Sequence, residues 1–195
     1  SETRKFSLRN IFIGSQLFVV GHIKKVALAD PISALIDPIW QDPSRFSGAA
    51  ILIAVIGFAL QVYCDFSGYT DMGRGAARIL GFRLPINFRG PYFSASPVEF
   101  WSRWHMTLSG WIRYYLFNAL SIRVGRLVRN RKLQKLAYLG VLLFVMAVIG
   151  LWHGAAFQFI VFGLIQGAFI GCWYFLFGQG HIKGLYKRIA GIIVT

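Results

Sequence analysis

The sequence predicts an all-α fold: a polytopic bundle of transmembrane helices with one re-entrant or interfacial helical segment on the cytoplasmic side. Three observations lead there. Of 195 residues, 56% are hydrophobic and 16% aromatic, against the roughly 45–50% apolar content of an ordinary soluble domain. The apolar residues come in long unbroken runs, without the regular polar interruption of a half-buried helix or strand. The charges gather between those runs, with 21 Lys and Arg against 7 Asp and Glu, a net +14. In a soluble chain such an excess would suggest nucleic acid. Placed between apolar runs it sets orientation, because basic loops stay cytoplasmic, and no nucleic-acid partner is expected.

Four runs approach the ~20 residues that cross a hydrocarbon core: residues 11–29, 48–66, 136–152 and 155–177. The first holds His22, Lys24 and Lys25, so it is expected to tilt, to end early with snorkelling lysines, or to sit against protein. Asp30, Asp37 and Asp42 outnumber Arg45 in the loop that follows. By contrast, Arg123, Arg126, Arg129, Arg131, Lys132 and Lys135 stand together without an acid, which makes theirs a cytoplasmic loop. Arg74, Arg78, Arg83, Arg89 and Arg103 put the stretch after Phe66 on the same side, so nothing within residues 67–135 is expected to cross fully.

Within that stretch Ser96, Pro97 and Glu99 supply the N-cap, first and third positions of a capping box. The helix they open is expected to run on through His105. Trp101, Trp104, His105, Leu108, Trp111, Ile112 and Tyr115 recur at helical spacing opposite Arg103 and Arg113. Such an aromatic face suits the membrane interface, and the segment is placed at about 96–120. Residues 136–177 are about twice one span and must turn; the polar break Gly150-Leu151-Trp152-His153-Gly154 puts His153 at or near that turn. The chain opens without an initiator Met and stops within an apolar stretch. Residues 1–195 therefore read as one fragment of a single membrane domain, with further spans expected on both sides.

The candidate chemistry lies with the histidines. His181, in a Gly-rich polar stretch, reads as a solvated loop residue, and His22 as an intramembrane polar group facing the bundle interior. His153 has no local carboxylate or hydroxyl partner between its two apolar runs, a costly placement unless the fold supplies a polar cavity. A neutral imidazole there suits proton abstraction from a hydroxyl. His105, taken alone, reads as an interfacial histidine among aromatics. Cys64 and Cys172 show neither disulfide nor metal spacing, and no metal is expected. Asp71, Arg74 and Arg78 share one helical stripe, by default a structural ion-pair set.

Four ordered blocks carry a resemblance. They are Cys64-Asp65-Phe66-Ser67-Gly68-Tyr69-Thr70-Asp71-Met72; Leu80-Gly81-Phe82-Arg83-Leu84-Pro85-Ile86-Asn87-Phe88; Ser96-Pro97 with Glu99-Phe100-Trp101 and Arg103-Trp104-His105-Met106-Thr107-Leu108-Ser109; and Leu151-Trp152-His153-Gly154-Ala155. Together they resemble the alginate O-acetyltransferase branch of the membrane-bound O-acyltransferases. The resemblance implies a many-helix enzyme of the inner (plasma) membrane with a tunnel through the bilayer, lying among membrane lipids. It implies an acyl donor, acetyl-CoA or an acyl-carrier thioester, delivered from the cytoplasm, with no permanently bound cofactor. The acceptor it implies is a polysaccharide hydroxyl on the far side, or a periplasmic or extracellular acetyl-transfer partner protein.

His153 aligns with the family's essential histidine and His105 with its second characteristic one. Trp101, Trp104 and Trp152 are then candidate walls of the cavity, and Asp71 and Arg74 of the tunnel. Relatives usually carry Arg-Asp-Tyr where this chain has Arg113-Tyr114-Tyr115. The expected reaction is direct transfer, His153 taking the proton of the attacking hydroxyl, since no Gly-x-Ser-x-Gly elbow is present to form an acyl-enzyme. The competing classes are a transporter or channel, which also uses intramembrane histidines and broken helices, and a silent scaffold for polysaccharide assembly. Acyl groups other than acetyl, such as D-alanyl, are carried by similar architectures.

Overall fold

A computed structural model describes residues 7–193, with side chains through residue 177. Among the described residues every regular element is helical, in the order α1 (Leu8–Gln41), α2 (Gly48–Ile79), α3 (Pro97–Arg103), α4 (residues 106–127), α5 (Arg131–His153) and α6 (Phe157–Ile193). Helices α1, α2 and α5, and α6 as Phe157–Phe177, are long and apolar enough to cross a membrane. The chain is a multi-pass membrane protein. It divides into two compact units, Ser1–Pro85 and Ile86–Thr195.

The first unit pairs α1 with α2. Glycines set their approach: a Cβ on Gly14 would lie 2.7 Å from the Gly75 carbonyl oxygen, and one on Gly21 would lie 2.5 Å from that of Gly68. Small residues seven apart on each helix thus let the backbones touch, the packing used where lipid removes the hydrophobic drive for helix association. The lysines that cast doubt on the first span are neutralised inside this pair. Lys24 Nζ lies 2.7 Å from Asp71 Oδ2, Arg74 lies 2.8 Å from Asp71 Oδ1, and Lys25 lies 2.5 Å from Asp65. They open a π-helical stretch, Lys24–Ala29, followed after Asp30 by Pro31, which has no N–H to continue the ladder. Paired acids also explain why α2 continues past the expected end at residue 66 to Ile79. It stops there in a Schellman turn, with Gly81 at φ 85° and Phe82 N–H donating to Ala77 O at 2.8 Å.

In the second unit α5 and α6 form a hairpin through residues 154–156. A Cβ on Gly150 would sit 2.0 Å from Phe159 O, and one on Gly163 2.1 Å from Met146 O, so only glycine permits this contact. Val141, Val145, Met146 and Ile149 of α5 form the buried core, covered by Trp101, Ile112, Leu116, Phe117, Leu120 and Val124. Large apolar side chains elsewhere on the helices, such as Leu52, Ile53 and Phe169, point outward. A surface of that kind is the one lipid or further helices cover.

The segment between the spans departs from the sequence expectation in one way: it is not one helix, since α3 ends at Arg103 and α4 begins after a break at Trp104 and His105. Helix α4 joins Met106–Ile112, a π-helical turn Arg113–Phe117 and Asn118–Leu127 without interruption, about 33 Å at 1.5 Å per residue. It returns along α5 through a three-residue connection, with Gln134 Nε2 donating to Gly125 O at 3.2 Å near the turn. A half-apolar helix with Arg113, Arg123 and Arg126 exposed escapes a hydropathy reading, yet its apolar stripe fits the α5 core.

Residues 67–135 are expected to begin and end on the basic side, so single cysteines at Phe93 and Arg129 in the full-length protein should label from the same face of sealed vesicles. Labelling from opposite faces would make α4 a full span. The Gly-rich stretch around His181, expected as a loop, is helical as part of α6; the His181 side chain lies outside the described residues.

Candidate active site

The break in the α3–α4 segment is built by the extended chain before it. Ser96 Oγ accepts from Glu99 N–H at 3.0 Å, and Glu99 Oε2 reaches back to the Ala95 N–H at 2.8 Å, a capping box with its return arm one residue early. Glu99 also pairs with Arg103 at 2.5 Å, and Arg103 Nη1 donates to Gly90 O at 3.4 Å. Arg89 N–H then donates to Arg103 O at 3.1 Å, and Met106 N–H to Asn87 O at 2.9 Å. These two rungs bracket Trp104 and His105. His105 takes φ 42° and ψ 55°, the left-handed conformation, and among the described residues it is the one non-glycine at positive φ. For an L-residue that costs roughly 1–2 kcal/mol, and such strain concentrates at functional positions.

Aromatic rings enclose the break. Trp104 stacks on Phe100 with centroids 5.6 Å apart and meets the edge of Phe88 at 5.0 Å; Phe88 lies 6.4 Å from the His105 ring. Trp101 turns to the α5 core, its Nε1 buried without a hydrogen-bond partner among the described residues. A cavity of about 380 Å³ adjoins this wall, lined by Tyr92, Ser94, Ser96, Phe100 and Trp173 among others. None of the expected site residues lines it; Phe100, stacked on Trp104, connects it to them.

His153 is the last residue of α5, where Gly154 at φ 173° and ψ 145° leaves the helix. Its ring meets Trp152 edge-on at 5.1 Å, and both side chains are exposed on this part of the protein. Because α4 runs back along α5, the start of one lies at the end of the other. His105 lies close enough to His153 to feel its charge. Burial, and secondarily His153, lower the His105 pKa below the ordinary histidine value, so the imidazole is neutral at pH 7.

The sign of the linked stability follows: a depressed histidine pKa makes the unfolded chain bind more protons, so the contribution is intact above pH ~6.5 and is lost as pH falls through the folded value. The full-length protein in detergent is expected to lose thermal stability between pH 7 and pH 5, and a His105→Asn variant, neutral and tolerant of the left-handed backbone, to lose less. Equal acid sensitivity of the two would show that His105 protonates freely in the fold.

Of the residues expected at the site, His105, Trp101, Trp104, Trp152 and His153 belong to the second unit, where the break and the hairpin end bring the two histidines together. Asp71 and Arg74 belong to the first unit, and Asp71 is engaged by Lys24 and Arg74, the ion-pair role given as their default. Tyr114, where an acid is usual, is exposed on the π-helical turn. Asn87, Phe88 and Phe100 were not singled out by sequence reasoning; the one polar side chain in Leu84-Pro85-Ile86-Asn87-Phe88 was the available signal.

The fold defines a multi-pass helical membrane protein, with His105 among aromatic rings at the α3–α4 break and His153 at the end of α5. The chain belongs to the MBOAT, membrane-bound O-acyltransferase family, whose model matches residues 32–192. The protein named "Probable alginate O-acetylase AlgI" of Pseudomonas aeruginosa is 40% identical over 157 residues, 80% of this chain and 28% of that protein. The peptidoglycan O-acetyltransferase of Helicobacter pylori is 35% identical over 159 residues, 82% of this chain and 29% of the relative. The teichoic acid D-alanyltransferase of Bacillus subtilis is 33% identical over 124 residues, 64% and 31% respectively. The chain thus spans about a third of the length of the curated relatives it matches.

Proposed function

We propose that the whole protein is an O-acyltransferase of the inner membrane that moves an acyl group, acetyl in the first instance, from a cytoplasmic thioester to a hydroxyl of an exported or cell-surface polysaccharide. The observation that carries this is the juxtaposition of His105 and His153 where α4 begins and α5 ends. In the step proposed, the sugar oxygen attacks the thioester carbonyl while the His153 imidazole takes its proton. The C–O bond forms, the C–S bond breaks, and the thiolate leaves to be reprotonated. His105, kept neutral by burial, orients the reacting groups without adding charge.

The relatives' names support an acyl donor and a polymer acceptor, and acetyl is favoured because the alginate and peptidoglycan relatives are named for it. The donor, acetyl-CoA or an acyl-carrier thioester, would be drawn to the basic turn around Arg129, Arg131 and Lys132, which attracts phosphate. That turn lies at the opposite end of α5 from His153, about 34 Å along its 23 residues, so donor and acceptor enter from opposite sides. A partner protein outside the membrane could take the acyl group in place of polymer. The test is the full-length protein in proteoliposomes with radiolabelled acetyl thioester inside and polysaccharide outside. Label covalently on the polymer is expected; export of free acetate, or of the polymer itself, without labelling would replace transferase with transporter.

A further inference from the structure

Helix α4 begins in an unusual way. A helix N-cap normally uses its own Ser, Thr, Asp or Asn oxygen to satisfy the free N–H groups of the first turn. Here the N-cap is His105, which makes no side-chain capping bond. Asn87 does the work from the extended chain. Its backbone carbonyl accepts from Met106 N–H at 2.9 Å, and its side-chain oxygen accepts from Thr107 N–H at 3.1 Å and from Thr107 Oγ1 at 2.6 Å. The first two N–H groups of α4 are thereby served, and the capping position is free to hold an imidazole in the left-handed conformation.

We infer that Asn87 is a positioning residue: it caps α4 in place of its N-cap and so holds His105 in its left-handed conformation at the break. This rests on the reading of His105 as a member of the acyl-transfer site. The role needs only acceptors, since Thr107 N–H and Oγ1 both donate to the side-chain oxygen. Asp can therefore replace Asn and gains from the positive end of the helix, whereas Leu, of similar size, cannot.

The test uses the full-length protein and its acyl-transfer rate, with membrane amount and thermal midpoint recorded for each variant. Asn87→Leu is expected to lower kcat by about 10–100-fold with KM for donor and acceptor unchanged, as positioning losses do, and Asn87→Asp to stay within about threefold of wild type. Thr107→Val, which removes one of the three bonds and spares the fold should Asn87→Leu fail to accumulate, is expected to lower kcat about threefold. The decisive comparison is with His105→Ala. If Asn87 acts through His105, the double variant Asn87→Leu/His105→Ala is no slower than His105→Ala alone.

A further loss in the double variant, or an Asn87→Asp as slow as Asn87→Leu, overturns the proposal. So does a wild-type kcat in Asn87→Leu or, where that variant does not accumulate, in Thr107→Val. A wild-type rate in His105→Ala instead removes the reading beneath it, and the two failures are told apart by that single variant.

Discussion

Replacing His153 by Ala or Gln in the full-length protein is expected to reduce acyl transfer by about 10²–10⁴-fold, the usual cost of losing a general base, with the amount of protein in the membrane unchanged. The separation of these two effects follows from where His153 sits. It ends α5, exposed, with Trp152 as its ring contact, so the fold draws little from its side chain beyond a helix-terminus interaction of roughly 0.3–1 kcal/mol when charged. A variant that keeps transfer within about threefold of wild type would make His153 a structural residue. His105→Ala is the internal comparison: a loss is expected there too, and a smaller one, because water can take over part of an orienting role more readily than it can replace a proton acceptor.

The second large effect concerns the hairpin that carries His153. Gly150→Ala and Gly163→Ala each put a methyl group about 2 Å from a backbone carbonyl oxygen across the α5–α6 contact. Backbone cannot step aside as a side chain can. The helices must separate and the cluster of Val141, Val145, Met146 and Ile149 loosens. Overpacking costs typically 1–3 kcal/mol and occasionally more, a large share of the 5–15 kcal/mol that holds a protein folded. Both variants are expected to accumulate poorly and to melt well below wild type in detergent. Gly140→Ala on the same helix, with nothing within 4 Å of the added atom, should be neutral or slightly stabilising through helix propensity. Three equal midpoints would show that α5 and α6 do not pack through glycine.

The apolar runs were legible because length and hydropathy are local properties, and the turn at His153 because two spans' worth of apolar chain must fold back and Gly154 marks the place. The capping box at Ser96 was legible for the same reason. What escaped depends on residues far apart in sequence. Nothing at Trp104–His105 marks a helix break, neither Gly nor Pro; Asn87 and Arg89 impose it from outside the helix. Helix α2 runs to Ile79 through Asp65 and Asp71 because their counter-charges stand on α1, which no window on α2 contains. Helix α4 reads as surface because its arginines dominate its hydropathy, while its stripe of Ile112, Leu116, Leu120 and Val124 decides where it packs. His105 stood out through resemblance to a family, and its conformation only through the structure.

The ion pairs between α1 and α2 bear on how the chain is made. Lys24 and Lys25 leave the ribosome 47 and 40 residues ahead of Asp71 and Asp65. For that interval α1 is a candidate membrane segment in which Lys24 lacks its Asp71 partner and Lys25 has only Asp30 of the same helix, 3.8 Å away, and ammonium groups near the centre of a lone helix disfavour insertion. It acquires its counter-ions when α2 has been synthesised through Asp71 and brought alongside, glycine against glycine. Biogenesis should therefore commit the two helices to lipid together, the first waiting in the insertion machinery for the second.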